Sequence, residues 1–359
     1  MGQLVLNYEL ADSLEAAERE ARRWIRLEPA SALPWLSLWD VLERSGKFAE
    51  AERVSARIRQ IDRDGIGYTG RIASNAIRTG NFELADRVLR AAMQSGTREA
   101  QTNALWDLGL SLRHQGRIAE AIDVAQRYRV LADRAEGLTA GEVSVSVRPL
   151  AQSLFDAGRY REAAALFDSS AAWRTREEIP SGLAGERAWS LAHAARSWAA
   201  AGDTSTLTVR ADTITSVAIL SNSARDRRLP SYIRGLLFLA RNDIPNAISA
   251  IRSSLYSLPA GYTRENYDLA RAQLRVGRAR DAVAVLQPIM RGKLDASNMY
   301  VTQTEAHELL AQAWEAAGRA DSASAHYERV ARAWEHGDPA YAKRAEDARR
   351  HVSRSVSRR

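Results

Sequence analysis

Few residues in this sequence stand in patterns that could do chemistry. No two histidines lie four positions apart around a carboxylate, the spacing of a helical zinc motif. The glycine string Gly65–Gly70 matches dinucleotide-binding loops but lacks the strand that should precede it. Cysteine is absent, which excludes thiolate metal sites and cysteine nucleophiles. We therefore predict no metal, no cofactor and no catalytic residue, and we do not expect an enzyme. The histidines are His114, His193, His307, His326, His336 and His351.

The distribution of charge argues against nucleic acid as a partner. The formal net charge is +7, but residues 341–359 hold seven basic and two acidic residues, which leaves +2 for residues 1–340. A nearly neutral body lacks the basic face that nucleic-acid binding requires. No apolar run is long enough to cross a bilayer, and residues 1–30 show no signal peptide. These features predict a cytoplasmic protein without a membrane segment.

The elements that would position any binding residue are marked by a recurring turn. A helical stretch ends at Gly, Asn or Asp, and a small residue follows five positions later, as in Gly116 and Ala121. Such turn residues adopt the left-handed conformation that ends a helix at least cost. The weakest case is Gly202, which is followed by Leu207 instead of alanine. The turn residues are Asp12, Gly46, Gly80, Gly116, Gly158, Gly202, Asn242, Gly277 and Gly318.

This pattern predicts an all-α fold of about nine antiparallel helix pairs. The turns recur at intervals typical of helical repeats, so each pair would pack mainly on its neighbours and form a solenoid. We assign residues 1–352 to this α-solenoid and residues 353–359 to a basic, disordered tail.

The repeats resemble the tetratricopeptide repeat family. In one repeat the family's positions are occupied by Leu105, Leu108, Gly109, Leu112 and Ala121, and in the last by Leu310, Ala311, Trp314, Ala323, Tyr327 and Val330. The resemblance implies a right-handed superhelix and a non-catalytic scaffold that binds a protein or peptide in its concave groove.

In the resembling family the first helix of each pair lines that groove. Arg264, Tyr267, Arg271 and Arg275 would form one stripe, since they are spaced at helical intervals. Guanidinium groups beside an aromatic ring suit an acidic peptide or a C-terminal carboxylate. The alternative is that these arginines are solvated or pair with neighbouring carboxylates. The full set of groove candidates is Trp106, Arg113, His114, Arg148, Gln152, Phe155, Arg264, Tyr267, Arg271 and Arg275.

Two features favour an alternative function. Only eleven residues precede the first turn, and residues 322–334 and 339–352 resemble the closing segment of repeat regions in bacterial multidomain signalling proteins. The chain would then be the regulatory or sensor region of a kinase or transcription activator whose effector domain lies upstream. RNA binding is a third hypothesis, favoured only by the arginine content.

Overall fold

Antiparallel helices make up the regular structure of the chain. The computed structural model describes residues 1–62, 66–94, 97–132, 140–173, 180–256, 263–291 and 299–356, and every regular element in these ranges is helical. The first helices of successive pairs are α1 (Gly2–Leu10), α3 (Ala32–Arg44), α5 (Ile66–Thr79), α7 (Arg98–His114), α9 (Ala140–Asp156), α11 (Pro180–Ala200), α13 (Leu229–Ala240), α15 (Thr263–Arg275) and α17 (Gln303–Ala316).

Each first helix is followed by a partner that packs back along it. The second helices are α2 (Leu14–Leu27), α4 (Phe48–Ile61), α6 (Phe82–Gln94), α8 (Ile118–Ala132), α10 (Tyr160–Ala172), α12 (Thr204–Ala218), α14 (Ile244–Ser254), α16 (Ala279–Leu286) and α18 (Ala320–Ala333). A single helix, α19 (Pro339–Val356), follows the last pair, and short 3₁₀ segments lie at Asp226–Arg228 and Gln287–Arg291. The predicted solenoid of about nine pairs is therefore confirmed.

The predicted turns are confirmed residue by residue. All nine turn residues have positive φ, from 55° at Asp12 to 79° at Gly80. Each residue five positions later is at most 3% exposed, and Leu207, the departure from the pattern, is 0% exposed. The other eight are Ala17, Ala51, Ala85, Ala121, Ala163, Ala247, Ala282 and Ala323. The left-handed residue thus reverses the chain direction. The buried residue five positions later lies where the second helix crosses the first closely.

First helices also stack on one another, which extends the core along the array. Helix α7 packs on α5 and on α9, and α11 packs on α9 and on α13. Within α13 the backbone comes very close to α14, because a β-carbon at Gly235 would lie 2.3 Å from Cγ1 of Ile251. Because the first helices stack on one another, they form the inner face of the array.

Some boundaries differ from the sequence expectation. Helix α5 begins at Ile66, so residues 66–70 of the glycine string belong to a helix, and Gly65 lies outside the described residues. Helix α19 extends to Val356, four residues past the predicted boundary at 352, and residues 357–359 also lie outside the described residues. None of the helices within the described ranges has the length and apolarity needed to span a membrane.

Replacing Ala121 with arginine should destabilise the repeat. Ala121 is fully buried where α8 crosses α7, so a longer side chain overfills the contact and buries an unpaired charge. Overpacking costs about 1–3 kcal/mol, and we expect the melting temperature to fall by several degrees in circular dichroism. Ala56→Arg, at an exposed position of α4, is the matched control. A melting curve unchanged by Ala121→Arg would contradict this packing.

Candidate functional site

A cavity of about 500 Å³ lies at the inner face of the array. Its wall comes from the C-terminal ends of α9, α11, α13 and α15 and from the first turns of α10, α17 and α19. Four of the predicted groove residues meet there: Phe155, Tyr267, Arg271 and Arg275. Helices that are far apart in sequence therefore share one site, as expected when the first helices of a repeat array face inward.

The cavity combines apolar and aromatic surface with arginines. Phe155 and Tyr160 pack edge to face, with ring centroids 5.1 Å apart. The guanidinium of Arg196 lies 4.7 Å from the centroid of the Phe155 ring. Burial, helped by nearby glutamates, raises the pKa of the Tyr267 hydroxyl, so this group remains a hydrogen-bond donor at neutral pH.

Two of the four arginines that line the cavity already have carboxylate partners. Arg196 Nε lies 3.3 Å from Asp268 Oδ2, and Arg344 Nε donates to Glu308 Oε1 at 3.0 Å. Burial lowers the pKa of both guanidinium groups, but the neighbouring carboxylates outweigh it and leave both pKa values above the usual arginine value. Both groups are therefore fixed structural cations.

Arg271 and Arg275 are differently placed. They stand one helical turn apart on α15, and both side chains are exposed. Arg275 Nη2 donates to Asn242 Oδ1 at 2.6 Å, whereas Arg271 has no hydrogen-bond partner among the residues that the structure describes. Neither forms an ion pair with any part of the chain within the described ranges. These two cations are available to an anionic group in the cavity.

The carboxylates of the cavity are engaged elsewhere. Asp156 Oδ2 accepts from Arg113 Nε at 2.6 Å, and Glu305 accepts from the backbone N–H of Thr302 at 2.8 Å in a capping box at the start of α17. Burial raises the pKa of Asp156 to about 6. The anions therefore do not neutralise Arg271 and Arg275.

Arg113 and His114 are buried, which corrects their predicted outward position. Arg113 is 2% exposed, and its Nη1 donates to the Met299 carbonyl at 2.6 Å. His114 Nδ1 bonds the Leu110 carbonyl at 2.8 Å, and its Nε2 accepts from the backbone N–H of Gln303 at 3.0 Å. Both are covered by residues almost two hundred positions further along the chain.

Arg264 and Gln152 are also buried rather than outward-facing. The Arg264 guanidinium lies 4.8 Å from the ring centroids of both Trp189 and Tyr232, and it bonds Glu265 at 2.6 Å. Gln152 Nε2 donates to Asp156 at 2.8 Å. These two side chains therefore do not face the cavity, and their polar atoms bond other residues in the interior of the protein.

Two more candidates lie apart from the cavity wall. Arg148 pairs with Glu186 at 3.0 Å, and the half-buried Trp106 packs edge to face on Tyr128 with centroids 5.5 Å apart. The predicted stripe of α15 is thus divided, with Arg264 in the interior and Tyr267, Arg271 and Arg275 at the cavity.

Sequence reasoning missed the arginines that hold the chain's own backbone. Arg44 Nε donates to the Arg291 carbonyl at 3.0 Å, and Arg78 Nη1 to the Met290 carbonyl at 3.4 Å. Arg44, Arg78 and His114 all stand two positions before a turn residue, and they contact residues 291, 290 and 303, respectively. Basic residues at the same position of successive repeats were therefore a sequence signal for these contacts.

Metal binding finds no candidate in the described part of the chain, where no three His, Asp or Glu side chains form a possible site. His307 and His326 form a pair whose Nδ1 atoms lie 2.8 Å apart. Burial lowers the pKa of both rings, to about 4 for His326, so both are neutral at pH 7.

Comparison with known proteins detects a tetratricopeptide repeat in one part of the chain. A tetratricopeptide repeat family model matches residues 71–136, which begin within α5 and include α6, α7 and α8. A search of curated proteins finds no match.

Several solved structures resemble this chain at low identity. The Cut9–Hcn1 hetero-tetramer of the APC/C aligns at 14% identity and a TM-score of 0.44, over 97% of this chain and 61% of that one. A tetratricopeptide repeat protein from Parabacteroides merdae aligns at 14% identity and 0.40, over 79% and 96%. A Rap protein in complex with Competence and Sporulation Factor aligns at 12% identity and 0.46, over 91% and 98%. This chain therefore spans less than two thirds of the Cut9–Hcn1 chain.

Acid should weaken the protein through His114. Burial lowers the pKa of this ring to about 3, against about 6.5 in an unfolded chain. The unfolded state therefore binds the proton first, and stability is lost as the pH falls from about 6.5 towards 3, at roughly 1.4 kcal/mol per pH unit. We expect the stability deficit of His114→Gln relative to the wild type to shrink by about 2 kcal/mol between pH 7 and pH 5.

The measurement is urea unfolding followed by circular dichroism at both pH values. His336→Gln, at an exposed position after α18, is the matched control. A deficit of His114→Gln that is equal at pH 7 and pH 5 would show that the ring is not held neutral.

Proposed function

We propose that this chain is a non-catalytic scaffold that binds a short protein segment carrying a carboxylate. The segment occupies the cavity, and its carboxylate lies against Arg271 and Arg275. The observation that carries the proposal is the contrast among the four arginines of the cavity, because two have carboxylate partners and these two, one turn apart, have none in the described chain.

The chemistry of the pair selects the ligand. Guanidinium groups are always charged and present parallel N–H donors, which match the two oxygens of a carboxylate. Adjacent aromatic and apolar side chains, with Phe155, Tyr160 and Leu236 among them, offer contact for the residue that carries the carboxylate. An acidic side chain or a free C-terminus satisfies both requirements.

The size of the cavity limits the ligand to a short segment. A volume of about 500 Å³ falls within the range of roughly 300–1,000 Å³ that holds drug-sized molecules. A few residues of an extended chain fit this space, whereas a folded domain does not. The helical-repeat architecture supports the same conclusion, since solenoids use their inner surface for protein partners.

The alternative from the sequence, a regulatory region of a bacterial signalling kinase or transcription activator, remains a prediction. It is compatible with the same site, because a sensor region would also bind its ligand in the cavity.

Reversing the two charges should abolish binding. We would screen the full chain against an array of pentapeptides with free C-termini and against the same array with amidated C-termini. The wild type should prefer peptides with a free or side-chain carboxylate. The double variant Arg271→Glu with Arg275→Glu should lose at least tenfold in affinity, because two charge-assisted hydrogen bonds are replaced by repulsion.

The matched control is Arg252→Glu with Arg280→Glu, which makes the same charge change at exposed positions of α14 and α16 outside the cavity. Its affinity should equal that of the wild type, and circular dichroism should show both double variants folded. Equal binding by the wild type and the Arg271/Arg275 variant would refute the proposed function.

A further inference from the structure

The end of the chain returns to its middle and closes the array on itself. The Asp338 backbone N–H donates to the Gly116 carbonyl at 2.9 Å, and its carboxylate accepts from the Ala119 N–H at 2.9 Å. Tyr341 packs directly on Gly116, since a β-carbon added there would lie 2.6 Å from the tyrosine Cβ. Ile118 shares a buried apolar cluster with α18 and α19. The start of α8 is therefore a docking surface for the C-terminal helices.

A second strip of contacts continues this closure toward the N-terminus. It consists of residues 287–291 and 299–304, whose backbone carbonyls accept from arginines on the first helices. Arg44, Arg78 and Arg113 hold the carbonyls of Arg291, Met290 and Met299, and Arg196 holds that of Tyr300. Thr304 Oγ1 also donates to the His114 carbonyl at 2.8 Å. We call the two strips together the seam.

The seam and the cavity share their walls. Tyr341 and Arg344 of α19 line the cavity together with Phe155 and Asp156 of α9. The Tyr341 hydroxyl donates to the Asp156 carbonyl at 3.2 Å, across 185 positions of sequence. If α19 left α8, this side of the cavity would be missing, while α9, α11, α13 and α15 would remain joined by their own packing.

The contacts of the seam are of a kind that can open. Many of them are hydrogen bonds from side chains to backbone carbonyls, and water can replace such bonds on both partners. Apolar side chains such as Ile118, Met299 and Tyr300 also contribute to the seam, but helix packing across it is much sparser than between consecutive helices of the array. The seam is therefore the weaker joint, and opening it leaves the helix pairs intact.

We infer that the seam is a latch and that ligand binding and ring closure form one equilibrium. The inference rests on the proposed function, because the ligand is the carboxylate-bearing segment of the cavity. A ligand that contacts both α15 and α19 binds the closed ring better than the open one, so it must favour closure. By the same linkage, weakening the seam must lower the affinity of the cavity.

A matched pair of glycine variants tests the latch. Gly116 and Gly158 have φ of 69° and 76°, so alanine strains both turns equally. At Gly116 the added methyl also collides with Tyr341, whereas nothing lies within 4 Å of the same position at Gly158. Gly116→Ala therefore wedges the seam, and Gly158→Ala controls for backbone strain.

The distance across the seam is the first measurement. The chain has no cysteine, so spin labels can be attached at Glu83→Cys and Arg332→Cys, two exposed positions on α6 and α18. Double electron–electron resonance should give a longer, broader distribution for Gly116→Ala than for the wild type and Gly158→Ala. If Gly116→Ala does not fold, Thr304→Val, which removes one seam hydrogen bond and lies outside the cavity wall, takes its place.

The affinity for a ligand is the second measurement. The probe is the tightest pentapeptide from the array, labelled with fluorescein. It should bind Gly116→Ala at least tenfold more weakly than Gly158→Ala, and saturating peptide should restore the short distance. An unchanged distance in the wedged variant, or a lengthened one with unchanged affinity, would overturn the latch. A different result would refute the proposed function. That result is equal affinity of the wild type and of the variant with Arg271 and Arg275 changed to glutamate.

Discussion

The structure depends on a left-handed residue at the end of each first helix. The nine turn residues identified from the sequence all have positive φ, and each places a buried residue five positions later at a close helix crossing. Because the turn fixes where one helix stops and where the next crosses it, the pairs repeat with similar geometry. Stacked repeats then align their first helices on one inner face, and every feature of the candidate site lies on that face or on residues that cover it.

Closure adds a constraint that simple stacking does not contain. Burying a guanidinium group is costly unless its donors are satisfied. Arg113 is 2% exposed, and its Nε and Nη1 meet one carboxylate and one backbone carbonyl. The two Nη atoms of Arg264 meet Glu265 and His193, and its guanidinium lies between the rings of Trp189 and Tyr232. The inner face is therefore partly filled by the protein itself.

Local physics made the fold predictable, whereas long-range contacts decided the site. Gly116 and Ala121 reveal a turn and a helix crossing because the causes lie within a few residues of each other. The exposure of Arg113 and His114 could not be predicted in this way, since Met299 and Gln303 cover them from almost two hundred positions away. Tyr267, Arg271 and Arg275 lie at one cavity, which agrees with the helical spacing that places them on one stripe. The pairing of the neighbouring arginines depends on contacts between distant helices, because Arg196 of α11 meets Asp268 of α15 and Arg344 of α19 meets Glu308 of α17.

In the seam, the residues that accept hydrogen bonds tolerate mutation better than the arginines that donate them. Every residue type has a backbone carbonyl, so Met290 and Arg291 can change identity and still accept the bonds from Arg78 and Arg44. The donors have no such freedom, because lysine lacks the planar fork that reaches a carbonyl and a carboxylate together. Sequence drift should therefore accumulate on the accepting strip and spare the donors Arg44, Arg78, Arg113 and Arg196. The closure would then be recognisable in related sequences mainly from these arginines.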